Sequence, residues 1–248
     1  MPLLPLICLT LLFGVSACTV GGDKQSVETN PADIYLQLGV RYLNLNKLEI
    51  ARENLQHAID LDPQHAQSHN AIAFLHEKLN KMAEARFHYQ KALALMPDDL
   101  STKNNYGRFL CEQGDIDEGM LLLQSTIHDV LNERPWLSLT NLGRCYMQRA
   151  NYHDAQAHFT QALHINESYG PALLEMQKVN YLQGHIAEAR AFLQRYAQTS
   201  EQTAESLLIA AQIEQAAGNS AIAMHYQHLL LTKFPLSPET KKIALPNR

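Results

Sequence analysis

The sequence predicts an all-α protein, a solenoid of six consecutive helix pairs. Small and apolar residues recur with a period of 34 residues, as Pro63 with Pro97 and Ala58 with Ala92 do. No segment of any length alternates apolar and polar residues as a half-buried β-strand would. A fixed period of this size indicates stacked repeats, because a single helix pair cannot bury its apolar face alone.

The composition is typical of a folded, soluble chain and excludes several other classes of protein. Of 248 residues, 46% are hydrophobic and 18% are charged, which is enough apolar material for a packed core. The net charge of −5 leaves no basic field, so no nucleic acid is expected as the main ligand. Four cysteines are too few for a small domain held together by disulfides.

Residues 1–17 have the pattern of a signal peptide. The apolar run Leu3–Phe13 is shorter than the roughly 20 residues that a membrane-spanning helix needs. The following segment Val15–Cys18 resembles the bacterial lipobox, the cleavage motif of lipoproteins. This resemblance implies that Cys18 becomes the first residue of the mature chain and carries a diacylglycerol and an N-linked acyl chain such as palmitate. The alternative is an ordinary signal peptide cut near Ala17.

The residues after the lipobox bear on where the protein is located. In the lipoprotein resemblance, Asp directly after the cysteine retains a protein in the inner membrane, and Thr19 in its place implies the outer membrane, on its periplasmic face. Residues 18–31 are mostly polar and include Gly21 and Gly22, so we expect a flexible tether with a reach of about 20 Å. The folded part is then held close to the membrane by a lipid anchor.

The first repeat unit, laid out from Ala32, has suitable residues at all eight signature positions of a 34-residue repeat. At positions 4, 7, 8, 11, 20, 24, 27 and 32 it has Tyr35, Leu38, Gly39, Tyr42, Ala51, Leu55, Ala58 and Pro63. The pattern resembles the tetratricopeptide repeat (TPR) family. This resemblance implies a right-handed superhelical solenoid in which the first helix of each pair, helix A, lines a concave groove.

Six such units are predicted, followed by a C-terminal tail. The predicted units are 32–65, 66–99, 100–135, 136–169, 170–203 and 204–237, with the tail at 238–248. The third unit is two residues longer than the others, and the fifth departs most from the signature. Turn residues are expected at equivalent places between helix A and helix B, at Asn46, Asn80, Gly114, Asn151, Gly184 and Gly218.

No catalytic, cofactor-binding or metal-binding motif is recognisable in the sequence. The phosphate-binding loop, the HExxH zinc motif and the GxSxG nucleophile motif are all absent, so we expect no enzyme, no cofactor and no small-molecule substrate. Among the twelve histidines, His69 and His76 occupy packing positions of the repeat, and no carboxylate or cysteine completes a zinc site near them. An enzymatic function would require a pair of convergent carboxylates. No such pair stands out in the sequence, since Glu112 and Glu175 are isolated candidates in the groove.

Two cysteines remain after the signal peptide and the lipobox are set aside. Cys111 is at position 12 of the third unit and Cys145 at position 10 of the fourth, on neighbouring A helices. An exported lipoprotein is exposed to an oxidising compartment, so we predict a disulfide between them. The alternative is a pair of buried thiols.

The groove is the expected partner-binding surface. Positions of helix A that face the groove in this fold contain apolar residues at one end and asparagine and arginine further along. Asparagine amides can both donate to and accept from a peptide backbone, and arginine can pair with a carboxylate. The apolar residues suit an amphipathic helix. The predicted groove residues are Leu36, Val40, Asn70, Phe74, Asn104, Asn105, Arg108, Asn141 and Arg144.

The third unit carries the most specific family resemblance. Its segment Asn104–Gly114 (NNYGRFLCEQG), with Cys145 and the two extra residues, is similar to the third repeat of the type IV pilus biogenesis lipoproteins of the PilW (PilF) family. The lipobox, short tether and six units extend the resemblance along the chain. It implies a pilotin-like scaffold that binds the pilus secretin, promotes its localisation and assembly at the outer membrane, and stabilises pili.

Two other functions remain open at this point. One is a TPR lipoprotein that serves as an adaptor for cell-wall enzymes or for outer-membrane protein assembly. The other is an enzyme built on a helical-repeat scaffold, such as a peptidoglycan hydrolase. Gene neighbourhood is a simple way to discriminate between these functions, because pilus genes close by favour the pilotin-like scaffold.

Overall fold

The computed structural model describes residues 30–244, which form thirteen α-helices and no β-strand. The predicted all-α repeat fold is therefore confirmed. The predicted signal peptide and the lipidated Cys18 lie outside the described residues. The helices are α1 (Pro31–Asn44), α2 (Leu48–Leu61), α3 (Ala66–Lys78), α4 (Met82–Leu95), α5 (Leu100–Gln113), α6 (Ile116–Ile127), α7 (Pro135–Gln148), α8 (Tyr152–Ile165), α9 (Gly170–Leu182), α10 (Ile186–Thr199), α11 (Ala204–Ala216), α12 (Ser220–Lys233) and α13 (Pro238–Ala244).

The first twelve helices form six antiparallel pairs, and their arrangement explains the concave surface. The odd-numbered helices from α1 to α11 are the A helices, and each of them contacts the next A helix along the chain. Within residues 30–244, successive B helices, α2 to α12, make no such contacts. Because the A helices lie closer together than the B helices, the stack curves with its A helices on the inside. Helix α13 packs against α11 and α12 and covers the C-terminal end.

Small residues allow the two helices of a pair to approach closely. A Cβ atom added to Gly143 on α7 would lie 2.3 Å from the ring of Phe159 on α8. A Cβ atom on Gly119 of α6 would lie 2.5 Å from the carbonyl oxygen of Gly107 on α5. Real Cβ atoms do not make contacts this short, so a larger side chain at either position would push the helices apart.

The first pair differs from the others because, within residues 30–244, no helix pair precedes it in the stack. Leu38, at position 7 of the first unit, is 36% exposed. The equivalent Ile72, Leu142 and Met176 are buried, since the preceding pair covers them. The apolar residues of the repeat signature therefore fill the interior everywhere except at the N-terminal end of the described structure.

The turns between helix A and helix B use a residue with positive φ in every pair. These residues are Asn46, Asn80, Gly114, Ala150, Gly184 and Gly218. In the fourth pair the sequence prediction of Asn151 is wrong by one residue, because Ala150 has φ +55°. Asn151 instead caps α8, where its side chain accepts a hydrogen bond from the backbone N–H of Asp154.

None of the helices in the described part of the chain is long and apolar enough to cross a membrane. The longest of them have 14 residues, as α1 does, against the roughly 20 that a bilayer requires.

Candidate partner-binding groove

An open cavity of about 710 Å³ lies between α1 and α3, at the N-terminal end of the concave surface. Its walls include the three residues predicted to form an apolar stripe, Leu36, Val40 and Phe74. Leu36 and Val40 are one helical turn apart, so both side chains project from the same face of α1. The other residues around this cavity are Gln37, Arg41, Leu43, Asn44, Leu45, Gln67, Asn70 and Ala71.

The apolar residues of this cavity are accessible to solvent in the folded chain. Val40 is 37% exposed and Leu45 is 57% exposed, although both are large and apolar. The ring of Phe74 is only partly buried, and two cations lie close to it. Lys78 Nζ is 5.2 Å and the guanidinium carbon of Arg108 is 5.6 Å from the ring centroid. Cation–π attraction at these distances holds the ring in place beside the cavity.

The predicted run of asparagines connects successive A helices. The side-chain amide of Asn105 on α5 donates to Asn70 Oδ1 on α3 at 3.2 Å, and the amide of Asn70 donates to Ser101 Oγ at 3.3 Å. The amide of Asn141 on α7 donates to Asn104 Oδ1 on α5 at 3.1 Å. We call the four residues Asn70, Asn104, Asn105 and Asn141 the asparagine ladder. These amides were expected to meet a partner backbone, whereas in the structure they bond to side chains of the same chain.

The two predicted groove arginines are also paired within the chain. Arg108 makes two hydrogen bonds to the carboxylate of Glu77 on α3, at 2.8 and 2.9 Å, and one to Glu112 at 2.8 Å. Arg144 on α7 donates to Glu175 Oε1 on α9 at 2.8 Å. The carboxylates expected on a partner are thus supplied by this chain, Glu77 and Glu175 by the neighbouring A helices and Glu112 by α5 itself. Glu112 and Glu175 both take part in these ion pairs.

The sequence pattern did not point to Glu77 or Glu205, and it indicated Glu175 only as an isolated groove candidate, not as an ion-pair partner. Glu77 pairs with Arg108, and Glu175 also pairs with Lys178, which in turn contacts Glu205 Oε1 at 2.6 Å. A signal for them exists in the sequence, since Glu77 and Arg108 are 31 residues apart and so are Arg144 and Glu175. In a 34-residue stack, that separation places two side chains about one helical turn apart on adjacent A helices.

Burial changes the electrostatics of the Glu77–Arg108 pair. Desolvation raises the pKa of Glu77, and the guanidinium of Arg108 and the hydroxyl of Tyr89 oppose this rise. Tyr89 is buried and its hydroxyl donates a hydrogen bond to Glu77, while burial also raises the pKa of Tyr89. The carboxylate therefore depends on Arg108 to remain ionised inside the protein.

A second cavity, of about 590 Å³, lies on α7, α9 and α11 near the C-terminal end. Its walls are more polar than those of the first cavity and include several carboxylates and Arg144. The residues around it are Arg144, Gly170, Pro171, Leu174, Tyr196, Ser200, Glu201, Thr203, Ala204, Glu205 and Glu239. The concave surface is thus apolar at one end and charged at the other.

The structure brings Cys111 and Cys145 together between α5 and α7. Their Sγ atoms are at bonding distance, 2.11 Å, and their Cα atoms are 5.5 Å apart. Both residues are buried in the interface between the third and fourth pairs. A disulfide at this place joins two successive pairs directly, beside the asparagine ladder.

Three histidines cluster inside the second pair. His69 Nδ1 lies 2.9 Å from His88 Nδ1, and the rings of His69 and His76 stack on that of His88 with centroids 5.2 and 5.4 Å away. Burial and the two neighbouring rings lower the pKa of His88 to about 4. Within residues 30–244, no group of three or more His, Cys, Asp or Glu side chains is arranged to hold a metal ion.

Comparison with known proteins identifies the repeats. Sequence models of the tetratricopeptide repeat match residues 32–65, 66–99 and 138–171. The chain is 29% identical over 234 residues to the "Type IV pilus assembly protein PilF" of Pseudomonas aeruginosa, an alignment that covers 92% of this chain and 93% of that protein.

Two solved structures have the same architecture. The chain resembles the structure from the "Functional Characterization of Pseudomonas Aeruginosa pilF" with a TM-score of 0.68 and 29% identity, over 86% of this chain and 96% of that one. It also resembles PilW, described as a "widely conserved type IV pilus biogenesis factor", with a TM-score of 0.74 and 24% identity over 88% of this chain and all of PilW. The second likeness shows the fold alone.

Proposed function

Because this chain is a tetratricopeptide-repeat homologue of the pilus assembly protein PilF, we propose that it is a non-catalytic scaffold of type IV pilus biogenesis. In this proposal it acts as a pilotin-like lipoprotein of the outer membrane. It binds a segment of the pilus secretin in its concave groove and shields that segment from water. During assembly, neighbouring secretin subunits replace the groove and the segment is released. Pili are then stabilised indirectly, through the assembled secretin.

The observation that carries the proposal is the exposed apolar cavity between α1 and α3. Large apolar side chains such as Val40 and Leu45 are solvent-accessible there, on the inner side of the stack. Exposed apolar surface within a concave groove is typical of a protein-binding site, and residues one turn apart suit the apolar face of an amphipathic helix. This favours a partner segment that has two or three large apolar side chains on one face.

The asparagine ladder and the arginine pairs have a supporting role in this proposal. Their hydrogen bonds are satisfied within the chain, so a partner gains little by replacing them. They hold successive A helices in register and fix the curvature of the groove before a partner arrives. A preorganised groove loses less conformational entropy on binding than a flexible one.

The lipid anchor is the second part of the proposal. The lipobox-like segment Val15–Cys18 supports acylation of Cys18, and Thr19 supports sorting to the outer membrane. Three acyl chains on one residue give firm membrane attachment, since each buried CH₂ group contributes about 0.8 kcal/mol. Anchoring keeps the groove close to the membrane in which the secretin ring is assembled.

The test is a co-purification of the full chain with the secretin from cells. Val40→Glu places a charge in the apolar cavity, and we expect it to reduce secretin recovery at least tenfold. Phe87→Glu is the matched control, because Phe87 is an apolar residue on the B helix α4 that is 61% exposed. We expect normal recovery for this variant. Equal recovery of secretin by both variants would contradict the groove assignment.

A deletion experiment tests the cellular role separately from the groove. Removing the gene should abolish surface pili and secretin multimers, and the wild-type gene should restore both. The Val40→Glu gene should restore neither, whereas the Phe87→Glu gene should restore both. Normal secretin multimers in the deletion strain would contradict the pilotin-like role.

A further inference from the structure

The connection between the third and fourth helix pairs differs from the other connections between pairs. Seven residues, 128–134, separate α6 from α7. The other successive pairs are joined by four residues, as at 62–65 and 166–169. None of the seven residues lines the cavity between α1 and α3, so the proposed function does not account for them.

Hydrogen bonds within this connection hold it in a defined turn. The N–H of Leu131 donates to Asp129 Oδ1 at 2.8 Å. The N–H of Arg134 donates to Asn132 Oδ1 at 3.0 Å, and the side-chain amide of Asn132 donates to the carbonyl oxygen of Thr126 at 2.7 Å. Aspartate and asparagine side chains that bond to the backbone two residues further on are typical of fixed turns. The turn therefore does not depend on a partner for its conformation.

The turn presents two adjacent apolar side chains to solvent. Val130 is 97% exposed and Leu131 is 79% exposed. Both are branched residues of types that are usually buried in folded proteins. Because the turn is already fixed, its binding to another molecule costs little further conformational entropy. It is therefore suited to enter an apolar recess on a second molecule.

An open apolar cavity of about 530 Å³ adjoins the turn. It lies between α6, α7 and α8, and its walls include Ile127 and Pro135, the helix residues that directly precede and follow the turn. Ile165 on α8 also lines the cavity and is 49% exposed. Val130 and Leu131 do not line it. The same face of the molecule thus has a projecting apolar pair and an apolar cavity beside it.

We propose that this face is the contact surface of a two-fold dimer, in which Val130 and Leu131 of each copy enter the cavity of the other copy. A two-fold contact uses the same patch on both molecules, so the patch must complement itself. A projection directly beside a cavity of the same apolar character meets that requirement. The contact is made twice and uses both projections and both cavities, so the assembly closes at two copies.

The polar side chains around the patch also favour a second copy as the occupant. In the turn, the carboxylates of Asp129 and Glu133 lie on either side of the projecting pair in sequence, whereas the imidazoles of His128 and His164 line the cavity. An imidazole N–H can donate a hydrogen bond to a carboxylate. A bilayer is a less suitable occupant, because its apolar interior offers no such donor and its anionic headgroups repel carboxylates.

Dimer formation is separate from partner binding in the groove. The patch on the third and fourth pairs has no residue in common with the cavity between α1 and α3. One dimer contains two such cavities. Together with the proposed function, on which this consequence alone rests, the dimer binds two secretin segments and gains avidity for a ring of identical subunits.

The experiment uses the full chain in cells, with a photocrosslinker in the turn. Leu131→p-benzoylphenylalanine keeps a large apolar group at the projecting position. Copies with two different affinity tags are produced together, irradiated, captured through one tag and detected through the other. We expect a product of two chains, and mass spectrometry of its digest should join position 131 of one copy to residues 160–165 of the other. Products of three or more chains would overturn the closed two-fold contact.

A substitution in the cavity tests which surface receives the turn. Thr160 is exposed and lines the cavity, so Thr160→Arg blocks the cavity without removing a buried side chain. When every copy has both substitutions, the two-chain product should decrease at least fivefold. It should recover at least twofold when such copies are mixed with copies of the natural sequence, because the turn of the first enters the open cavity of the second. A product that persists when every cavity is blocked, or that does not recover in the mixture, would overturn the inference.

Leu236→p-benzoylphenylalanine is the matched control for chance encounters, because Leu236 is 90% exposed and lies in another connection, between α12 and α13. It should give no two-chain product. If position 131 gives no product, or crosslinks only to a lipid or to a different protein, the inference is wrong. The Thr160→Arg chain should still recover the secretin normally, so that failure of the dimer and failure of groove binding are distinguishable.

Discussion

The concave surface has an apolar part between α1 and α3 and a polar part from α5 to α9, and the side chains of the two parts differ in whether their contacts are satisfied within the chain. Between α1 and α3 the surface has exposed apolar side chains such as Val40, and no helix in the described part of the chain covers them. From α5 to α9 it has asparagines and ion pairs whose groups satisfy one another. The difference indicates that the apolar part exposes surface to water that a partner can bury. The polar part instead stabilises the stack through hydrogen bonds and ion pairs between its helices. Substitutions in the first part should change binding, and those in the second should change stability.

The largest expected effect on stability is the loss of Arg108. Its side chain is 17% exposed and that of Glu77 is 10% exposed, so Arg108→Ala leaves a buried carboxylate without its partner. We expect a loss of about 3–5 kcal/mol in the free energy of unfolding, measured in urea. Arg149→Ala is the matched control, because Asp117, the partner of Arg149, is 86% exposed, and a change within about 0.5 kcal/mol is expected. Equal effects of the two substitutions would show that the buried pair contributes no more to stability than an exposed one.

The bond between Cys111 and Cys145 is expected to contribute about 4 kcal/mol, from the chain entropy of a loop of roughly 35 residues. Reduction should lower the free energy of unfolding by about this amount in the natural chain. It should have no effect on the double variant Cys111→Ser/Cys145→Ser. Thiol titration of the unreduced, denatured protein should find neither cysteine free. Two reactive thiols at these positions would show that the predicted disulfide is absent.

The histidine cluster of the second pair should make stability depend on pH. The pKa of His88 is lowered from 6.5 to about 4, so between these values the unfolded chain binds a proton that the folded chain rejects. Stability is therefore full above pH 6.5 and is lost as the pH falls towards 4. We expect a loss of about 1–2 kcal/mol from His88 between pH 7 and pH 4, reduced by solvent screening because the ring is partly exposed.

Urea unfolding at the two pH values checks the contribution of His88 against a surface histidine. His88→Asn should reduce the pH dependence. His225→Asn should leave it unchanged, because His225 is an exposed residue of α12. If both variants keep the pH dependence of the natural chain, the loss at low pH arises elsewhere in the protein.

The smallest expected effect concerns the turn of the fourth pair. Ala150 has φ +55°, where a Cβ atom costs about 1–2 kcal/mol, and glycine occupies the equivalent place in three other pairs. Ala150→Gly should stabilise the protein by about 0.5–1 kcal/mol, after the greater entropy of glycine in the unfolded chain is subtracted. Asn46→Gly should gain less, since asparagine tolerates this conformation. A loss of stability in the Ala150 variant would show that positive φ is not strained there.

The repeat signature made much of the fold predictable from sequence. Positions such as Gly39, Ala51 and Leu55 are small or large according to how closely two helices approach, and the structure buries all three. The apolar stripe of Leu36, Val40 and Phe74 was also predictable, because groove-facing positions follow from the register of helix A. Its role in partner binding stays a prediction that the Val40→Glu experiment tests.

The polar part of the groove was predicted less well. Asn104, Asn105 and Arg108 occupy groove-facing positions, but their hydrogen-bond partners come from α3 and α7, one repeat away in each direction. A position within a repeat specifies the face of a helix on which a residue lies. It does not specify which side chain on the next helix is within 3 Å.

The amino-acid sequence alone determined that this chain forms stacked helix pairs, because a 34-residue period of small and large side chains admits few other ways to bury apolar surface. The tertiary structure decided which groove residues remain available to a partner. Hydrogen bonds and ion pairs depend on distances of about 3 Å between different helices, and these distances are set by the packing of the whole stack. For that reason Val40 is exposed at the end of the stack, while Arg108 is already paired.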